Sequence, residues 1–141
     1  MAGTGTNGMS TGGAYEIVFD GGALGNPGKG YGSYQIMAPD GRSTLERLDY
    51  GDGVTNNQAE YRTLIAAMTR LLDVLGEHAA TAKVTVRGDS QLVLYQIQGK
   101  WKVKTDSLRP VHRQAVNLVA RFGRVDLLWH ARKNSVSVLG H

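Results

Sequence analysis

The sequence predicts an α/β fold: a five-stranded mixed sheet, built as an antiparallel meander of three strands plus parallel strands, flanked by helices. Three observations carry this. Tyr15, Ile17 and Phe19 alternate with Glu16, Val18 and Asp20, and period-two alternation returns over residues 30–38. Leu64, Ile65, Met68, Leu71, Leu72 and Leu75 recur at helical spacing. A further alternating run, residues 83–89, follows that helix, and a strand after a helix after a strand is a crossover that pairs in parallel.

The bulk properties fit one such domain. The chain has 141 residues, long enough for a sizeable core. Residues 1–13 are Gly, Thr, Ser and Asn with no basic-apolar signal, so they read as a disordered leader or a cloning remnant, and residues 14–141 as the domain. No apolar run approaches the ~20 residues of a membrane span. There are no cysteines, which excludes disulfides and thiolate metal sites and accords with a reducing cytoplasm. The net charge of +4 leans towards a polyanionic partner. Nothing calls for more than a monomer.

In chain order, the first strand ends on Asp20 and breaks into Gly21, Gly22, Gly25, Asn26, Pro27 and Gly28. A carboxylate followed by backbone almost bare of side chains suits a metal ion and a closely approaching phosphodiester; Asp20 as a simple turn former is the plainer alternative. Strands over residues 30–38 and 43–50 follow, separated by the turn Pro39-Asp40-Gly41, and Gly51-Asp52-Gly53 closes the meander. Thr55-Asn56 offers a helix N-cap and Gly76 a stop. Glu60 lies four residues before Leu64, on the apolar face of that helix's first turn, where a carboxylate needs a cation, a metal or a capping role. Residues 83–89 end on Asp89, and a short helix over 90–98 stops at Gly99. Lys100, Trp101, Lys102 and Lys104 make a compact basic loop with one aromatic. Asp106 or Ser107 caps a third helix with Leu108, Val111, Ala115, Leu118, Val119 and Phe122 as its stripe, and residues 125–129 are the last strand. The tail after Trp129 has no clear period.

Asp20 and Asp89 thus come to the C-terminal edge of neighbouring parallel strands, where open α/β sheets place ligands, and Glu60 can converge on them. Three clustered carboxylates repel one another in a low-dielectric pocket unless cations hold them. Hard oxygen ligands suit Mg²⁺ or Mn²⁺, and a pair of such ions serves phosphodiester hydrolysis.

The motifs resemble those of the type 1 ribonuclease H family. Phe19-Asp20-Gly21-Gly22 with Gly25-Asn26-Pro27-Gly28 is similar to its opening strand and loop. Thr55-Asn56-Asn57-Gln58-Ala59-Glu60-Tyr61 resembles the second motif and Asp89-Ser90-Gln91-Leu92-Val93 the third. Gln98-Gly99-Lys100-Trp101-Lys102-Val103-Lys104 is similar to the loop before the later helix in shorter members without the extra basic protrusion. The resemblance covers residues 15 to about 129 and implies a ribonuclease H-like fold and an endonuclease that cuts the RNA strand of an RNA–DNA hybrid, leaving a 5′-phosphate and a 3′-hydroxyl. It implies Asp20, Glu60, Asp89 and the Gly21 backbone as metal ligands. Gly21, Gly22, Asn26, Asn57 and Gln58 would lie along the minor groove, where 2′-hydroxyls are read. Thr55 and Asn26 would sit near the DNA backbone, with Ser90 a further substrate contact. Lys100, Trp101, Lys102 and Lys104 would grip the DNA strand by phosphate contact and stacking.

The resemblance breaks near the C-terminus. The family commonly supplies a fourth acid four residues after an Asn; Asn134 is present, but the fourth residue on is Val138, and no Asp or Glu follows Asp126. Three explanations compete: a truncated or naturally short chain, another ligand (His141 first, Asn134 or His130 after it), or a non-cleaving relative. A neutral imidazole at His141 suits Mn²⁺ better than Mg²⁺; the alternative is an ordinary chain end. His78 and His112 read as structural or surface residues. Two other functions stay open: a hybrid-binding module without turnover, and a nuclease of related fold acting on DNA junctions or structured RNA, against which Asn57 and Gln58 argue.

Overall fold

Ile17, Val18, Phe19 and Asp20 are all buried, so the strand that carries them, β1 (Ala14–Leu24), is covered on both faces. This computed structural model describes residues 13–140. Most of the expected leader, residues 1–12, and His141 lie outside the described residues; Gly13 is within them, its carbonyl accepting the Lys83 amide at 3.1 Å. β2 (Gly28–Met37) and β3 (Ser43–Val54) complete the meander. They are followed by α1 (Asn56–Leu75), a 3₁₀ segment (Gly76–Thr81), β4 (Lys83–Gly88), α2 (Gln91–Ile97), a short 3₁₀ turn (Asp106–Leu108), α3 (Arg109–Val119), β5 (Arg124–Trp129) and α4 (Arg132–Leu139). The sheet order is β3-β2-β1-β4-β5, antiparallel through the meander and parallel from β1 to β4 to β5. The five-stranded mixed sheet is the expected one.

The main core forms where Ile17, Phe19, Val84 and Val86 meet Leu64, Met68 and Leu71 of α1 and Leu94 of α2. Val18 points to the opposite face of β1. α4 packs on β1 and β2, where its Leu139 is fully buried and its C-terminal carbonyl accepts the Arg47 guanidinium at 3.1 Å. No helix among the described residues is long and apolar enough to cross a membrane.

Four local expectations are corrected. β1 does not end at Asp20, because its antiparallel pairing with β2 continues through Gly21 and Gly22 to Leu24–Lys29. β3 does not stop at Tyr50; it runs to Val54 through Gly51 and Gly53, whose positive φ values accompany an irregular register. Neither Asp106 nor Ser107 caps α3: the 3₁₀ turn leads in without a side-chain cap, Pro110 fills the first turn, and Asp106 instead pairs with Arg109 at 3.0 Å. The tail is a helix. Only Ser135 and Leu139 of α4 are buried, a single i,i+4 pair, which is too little for a legible period.

The start of α1 is fixed by a capping box: Thr55 Oγ1 accepts the Gln58 amide at 3.1 Å, and Gln58 Oε1 accepts the Thr55 amide at 2.9 Å. Thr55→Ala is expected to destabilise the fold by about 1 kcal/mol. Leu139→Ala should cost about 2–5 kcal/mol if α4 is integral to the fold. Denaturant midpoints measured at constant m check both; an unchanged midpoint for Leu139→Ala would show a detached tail.

Candidate active site

The parallel register between β1 and β4 stops at Phe19–Gly88. One step further along the same register lie Asp20, still within β1, and Asp89, just past the end of β4, where the parallel pairing of the two strands stops. The first turn of α1 reaches this edge because Gly21 has no side chain: a Cβ there would sit 2.7 Å from the Ala59 carbonyl and 2.8 Å from the Glu60 nitrogen. That contact brings Glu60 over the point where the parallel pairing stops. Ligand oxygens of Asp20, Glu60 and Asp89 all lie within 4.8 Å of one another, with Asp20 and Glu60 buried and Asp89 half-buried. The glycine therefore makes room for a helix at Gly21, where the sequence suggested room for a ligand.

Burial pushes the Glu60 carboxyl well above the usual carboxylate range, and the neighbouring charges of Asp20 and Asp89 add to this. The Gly21 amide, donating to Glu60, opposes the shift. Glu60 Oε1 and Asp89 Oδ2 are buried with no hydrogen-bond partner. Buried acceptors of this kind are costly unless a cation meets them. An all-carboxylate donor set of this size fits a hard divalent ion.

Asp89 is held from both sides. Ser90 caps α2, its Oγ accepting the Val93 amide at 3.3 Å. Trp129 Nε1 donates to the Asp89 carbonyl at 3.2 Å, a contact the sequence did not signal. His130 donates its amide to the Gly88 carbonyl at 2.9 Å, and its Nε2 lies 2.7 Å from Ser135 Oγ. Burial lowers the His130 pKa, with Asp89 raising it and Arg87 lowering it. His130 does not join the carboxylate cluster, and Asn134 is exposed on α4. Val138, four residues beyond Asn134, is exposed on the same helix.

The other candidate residues divide between the rim of this edge and a loop beside it. Asn26 Oδ1 accepts the Asn56 amide at 3.0 Å, and Asn56 Oδ1 accepts the Ala23 amide at 2.8 Å, so the 24–28 loop is tied to the start of α1. Asn56 was missed as a site-building residue; its place beside the helix N-cap was the available signal. Gly22 packs against Tyr31, whose hydroxyl would be 2.7 Å from a Cβ there. Asn57 and Gln58 are half-buried in the first turn of α1. Lys100, Lys102 and Lys104 are exposed, and Trp101 is 46% exposed with its ring edge-on to Tyr95, centroids 5.0 Å apart. His112 Nε2 contacts the Gln96 carbonyl at 3.1 Å.

A mixed sheet with three carboxylates at the joint of its parallel strands defines a candidate cation-dependent centre. Comparisons with known proteins narrow the class. Residues 19–138 match the family model described as reverse transcriptase-like. The bifunctional protein Rv2228c of Mycobacterium tuberculosis is 38% identical over 82% of this chain, which spans 31% of that protein. Ribonuclease HI of Halobacterium salinarum is 36% identical over 79% of this chain, which spans 53% of it. The crystal structure of RNase H1 from the same archaeon superposes with a TM-score of 0.79 at 31% identity, covering 90% of this chain and 94% of that one. LC11-RNase H1, solved in complex with an RNA/DNA hybrid, gives 0.78 at 29% identity, covering 87% and 89%. The chain belongs to the reverse transcriptase-like family and, within it, to the type 1 ribonucleases H. It spans about a third to a half of the length of these curated relatives.

The raised Glu60 pKa has a sign that can be checked. In the folded, metal-free protein Glu60 binds its proton more tightly than in the unfolded chain. Stability therefore falls as pH rises from the unfolded carboxylate value through the higher folded one. Glu60→Gln is expected to flatten that slope and raise the Tm at neutral pH in a chelator. Mg²⁺ should raise the Tm of the parent much more than that of the variant. Thermal melts across pH, with and without the ion, measure both.

Proposed function

We propose that the chain is a divalent-cation-dependent endoribonuclease that hydrolyses the RNA strand of RNA–DNA hybrids, leaving a 5′-phosphate and a 3′-hydroxyl. The observation that carries this is the buried trio Asp20, Glu60 and Asp89, with ligand atoms within 4.8 Å and two buried oxygens lacking partners, in a chain of the ribonuclease H family. In this reading the three carboxylates and the Gly21 backbone hold Mg²⁺ or Mn²⁺, in a two-ion site. Ions bound there supply an activated water and neutralise charge at the phosphodiester.

The protein's own groups bind and orient the hybrid. Gly21 and Gly22, packed against α1 and Tyr31, contribute their backbone at the minor groove. Asn57 lies in the first turn of α1, and Asn26 and Gln58 spend their side-chain oxygens on the Asn56 and Thr55 amides, which leaves their amide N–H groups to donate to 2′-hydroxyls and phosphates. Thr55 and Ser90 sit at helix N-termini, where backbone donors and the helix dipole favour phosphate. Lys100, Trp101, Lys102 and Lys104 grip the DNA strand. The reading has the protein acting as a monomer in a reducing cytoplasm. LC11-RNase H1 in its hybrid complex is the relative that supports the choice of substrate.

A second reading, a hybrid-binding module without turnover, is favoured by one observation: α4 offers Val138 where the family commonly has its fourth acid. Cleavage of a labelled hybrid in Mg²⁺ or Mn²⁺, run beside duplex DNA and duplex RNA, separates the two. Cut RNA in the hybrid alone is the expected result. Asp20→Asn should reduce that rate by more than the roughly 10–100-fold typical of outer-shell changes around metals, with hybrid binding retained. Tight binding without cleavage in either ion would select the binding module.

A further inference from the structure

Two of the three acids are held by regular elements. Asp20 pairs with Ser33 in the β1–β2 ladder, and Glu60 lies within α1. Asp89 has neither support. β4 ends at Gly88 and Ser90 is already the cap of α2, so Asp89 stands in the bend between them. Its Oδ2 is buried with no hydrogen-bond partner, so no donor among the described residues steers that oxygen. A carboxylate only two torsions from its Cα then goes where the backbone puts it.

Contacts from β1 and β5 fix that backbone. A Cβ on Gly88 would sit 2.6 Å from the Phe19 ring, so the residue before Asp89 is pressed against fully buried Phe19. The His130 amide donates to the Gly88 carbonyl at 2.9 Å, and the β4–β5 pairing ends there. The next carbonyl along is that of Asp89, and a side chain takes over from the ladder. Trp129, opposite Gly88 in the register, reaches one residue forward and donates its Nε1 at 3.2 Å. Burial does not account for an indole at this position: Trp129 is 46% exposed and lies outside the main core. Its N–H does, because it supplies the donor that the ended strand cannot.

We propose that Trp129 is a positioning residue for the Asp89 ligand: its indole N–H holds the Asp89 backbone where β4 has ended, so that the carboxylate meets a divalent ion together with Asp20 and Glu60. The proposal deepens the reading of the trio as a cation site and rests on it. In this role Trp129 touches neither the ion nor the substrate. It acts through Asp89 alone, from 40 positions away in the chain. Loss of the N–H therefore weakens the ion's hold more than it weakens the fold.

The test is calorimetric titration of the chain with Mn²⁺, without nucleic acid. Trp129→Phe keeps a ring and loses the N–H. It is expected to weaken Mn²⁺ binding about tenfold, the lower end of what outer contacts around metals carry, with the Tm in a chelator close to that of the parent. In hybrid cleavage the same variant should need about tenfold more ion for its half-maximal rate, and saturating ion should restore most of that rate. Equal Mn²⁺ affinity in parent and variant would overturn the positioning role. So would equal ion affinity with weakened hybrid binding, which would make the ring a substrate contact. The parent offers a second measurement that needs no folded variant. Its two tryptophans give two indole N–H signals in a ¹⁵N-correlated NMR spectrum. Mg²⁺ should move the Trp129 signal and leave that of Trp101 in place; a Trp129 signal unmoved at saturating Mg²⁺ would overturn the role. If the parent binds neither ion, the cation-site reading falls and the positioning role with it. If the parent binds Mn²⁺ and Trp129→Phe binds it equally, the positioning role fails alone.

Discussion

The parallel pairing of β1 with β4 runs out at Phe19 and Gly88, and the acidic edge depends on that one register. Buried Ile17, Phe19, Val84 and Val86 hold the two strands against α1, so Asp20 and Asp89 emerge together as the next residues on each. A slip of one residue would turn Asp20 to the other face of the sheet. The absence of a Cβ at Gly21 lets α1 close on the same point and deliver Glu60. Hydrophobic packing thus forces three like charges together, and the raised Glu60 pKa is the electrostatic consequence. Apolar burial through the sheet and α1 is the favourable term large enough to hold that arrangement in a cation's absence.

Around this edge, several side chains tie the local backbone in place. Thr55 and Gln58 close the capping box, Asn26 and Asn56 tie the glycine loop to α1, and Ser90 caps α2. In Asn26 and Gln58 the side-chain oxygens are used internally, accepting the Asn56 and Thr55 amides. Gln96, which accepts the Tyr61 hydroxyl and donates to the Lys102 carbonyl, does for the basic loop what the capping box does for α1: it converts a mobile kind of segment into a fixed surface.

The C-terminal segment is organised differently. α4 has no side-chain cap and no acid among its residues, and it is held by Leu139, by the Ser135–His130 contact and by Arg47 reaching across from β3. It covers the second face of the sheet near Asp20 and adds no carboxylate to the trio.

The sequence by itself determined the strand pattern, the α1 helix, the three acids and the basic loop. Each rests on local periodicity or on a motif that a few adjacent residues carry. It also marked Glu60 as misplaced for a solvent-facing residue, because helical spacing puts it on the Leu64 face. Only the tertiary structure decided the rest. The ends of β1 and β3 depend on how far a partner strand continues to offer hydrogen bonds, which no local pattern records. The tail helix exists because Leu139 finds a pocket on the sheet, and a single i,i+4 pair leaves no period to read. The roles of Trp129, Asn56 and Gln96 are bonds between residues 33 to 40 positions apart, formed only once the elements have packed.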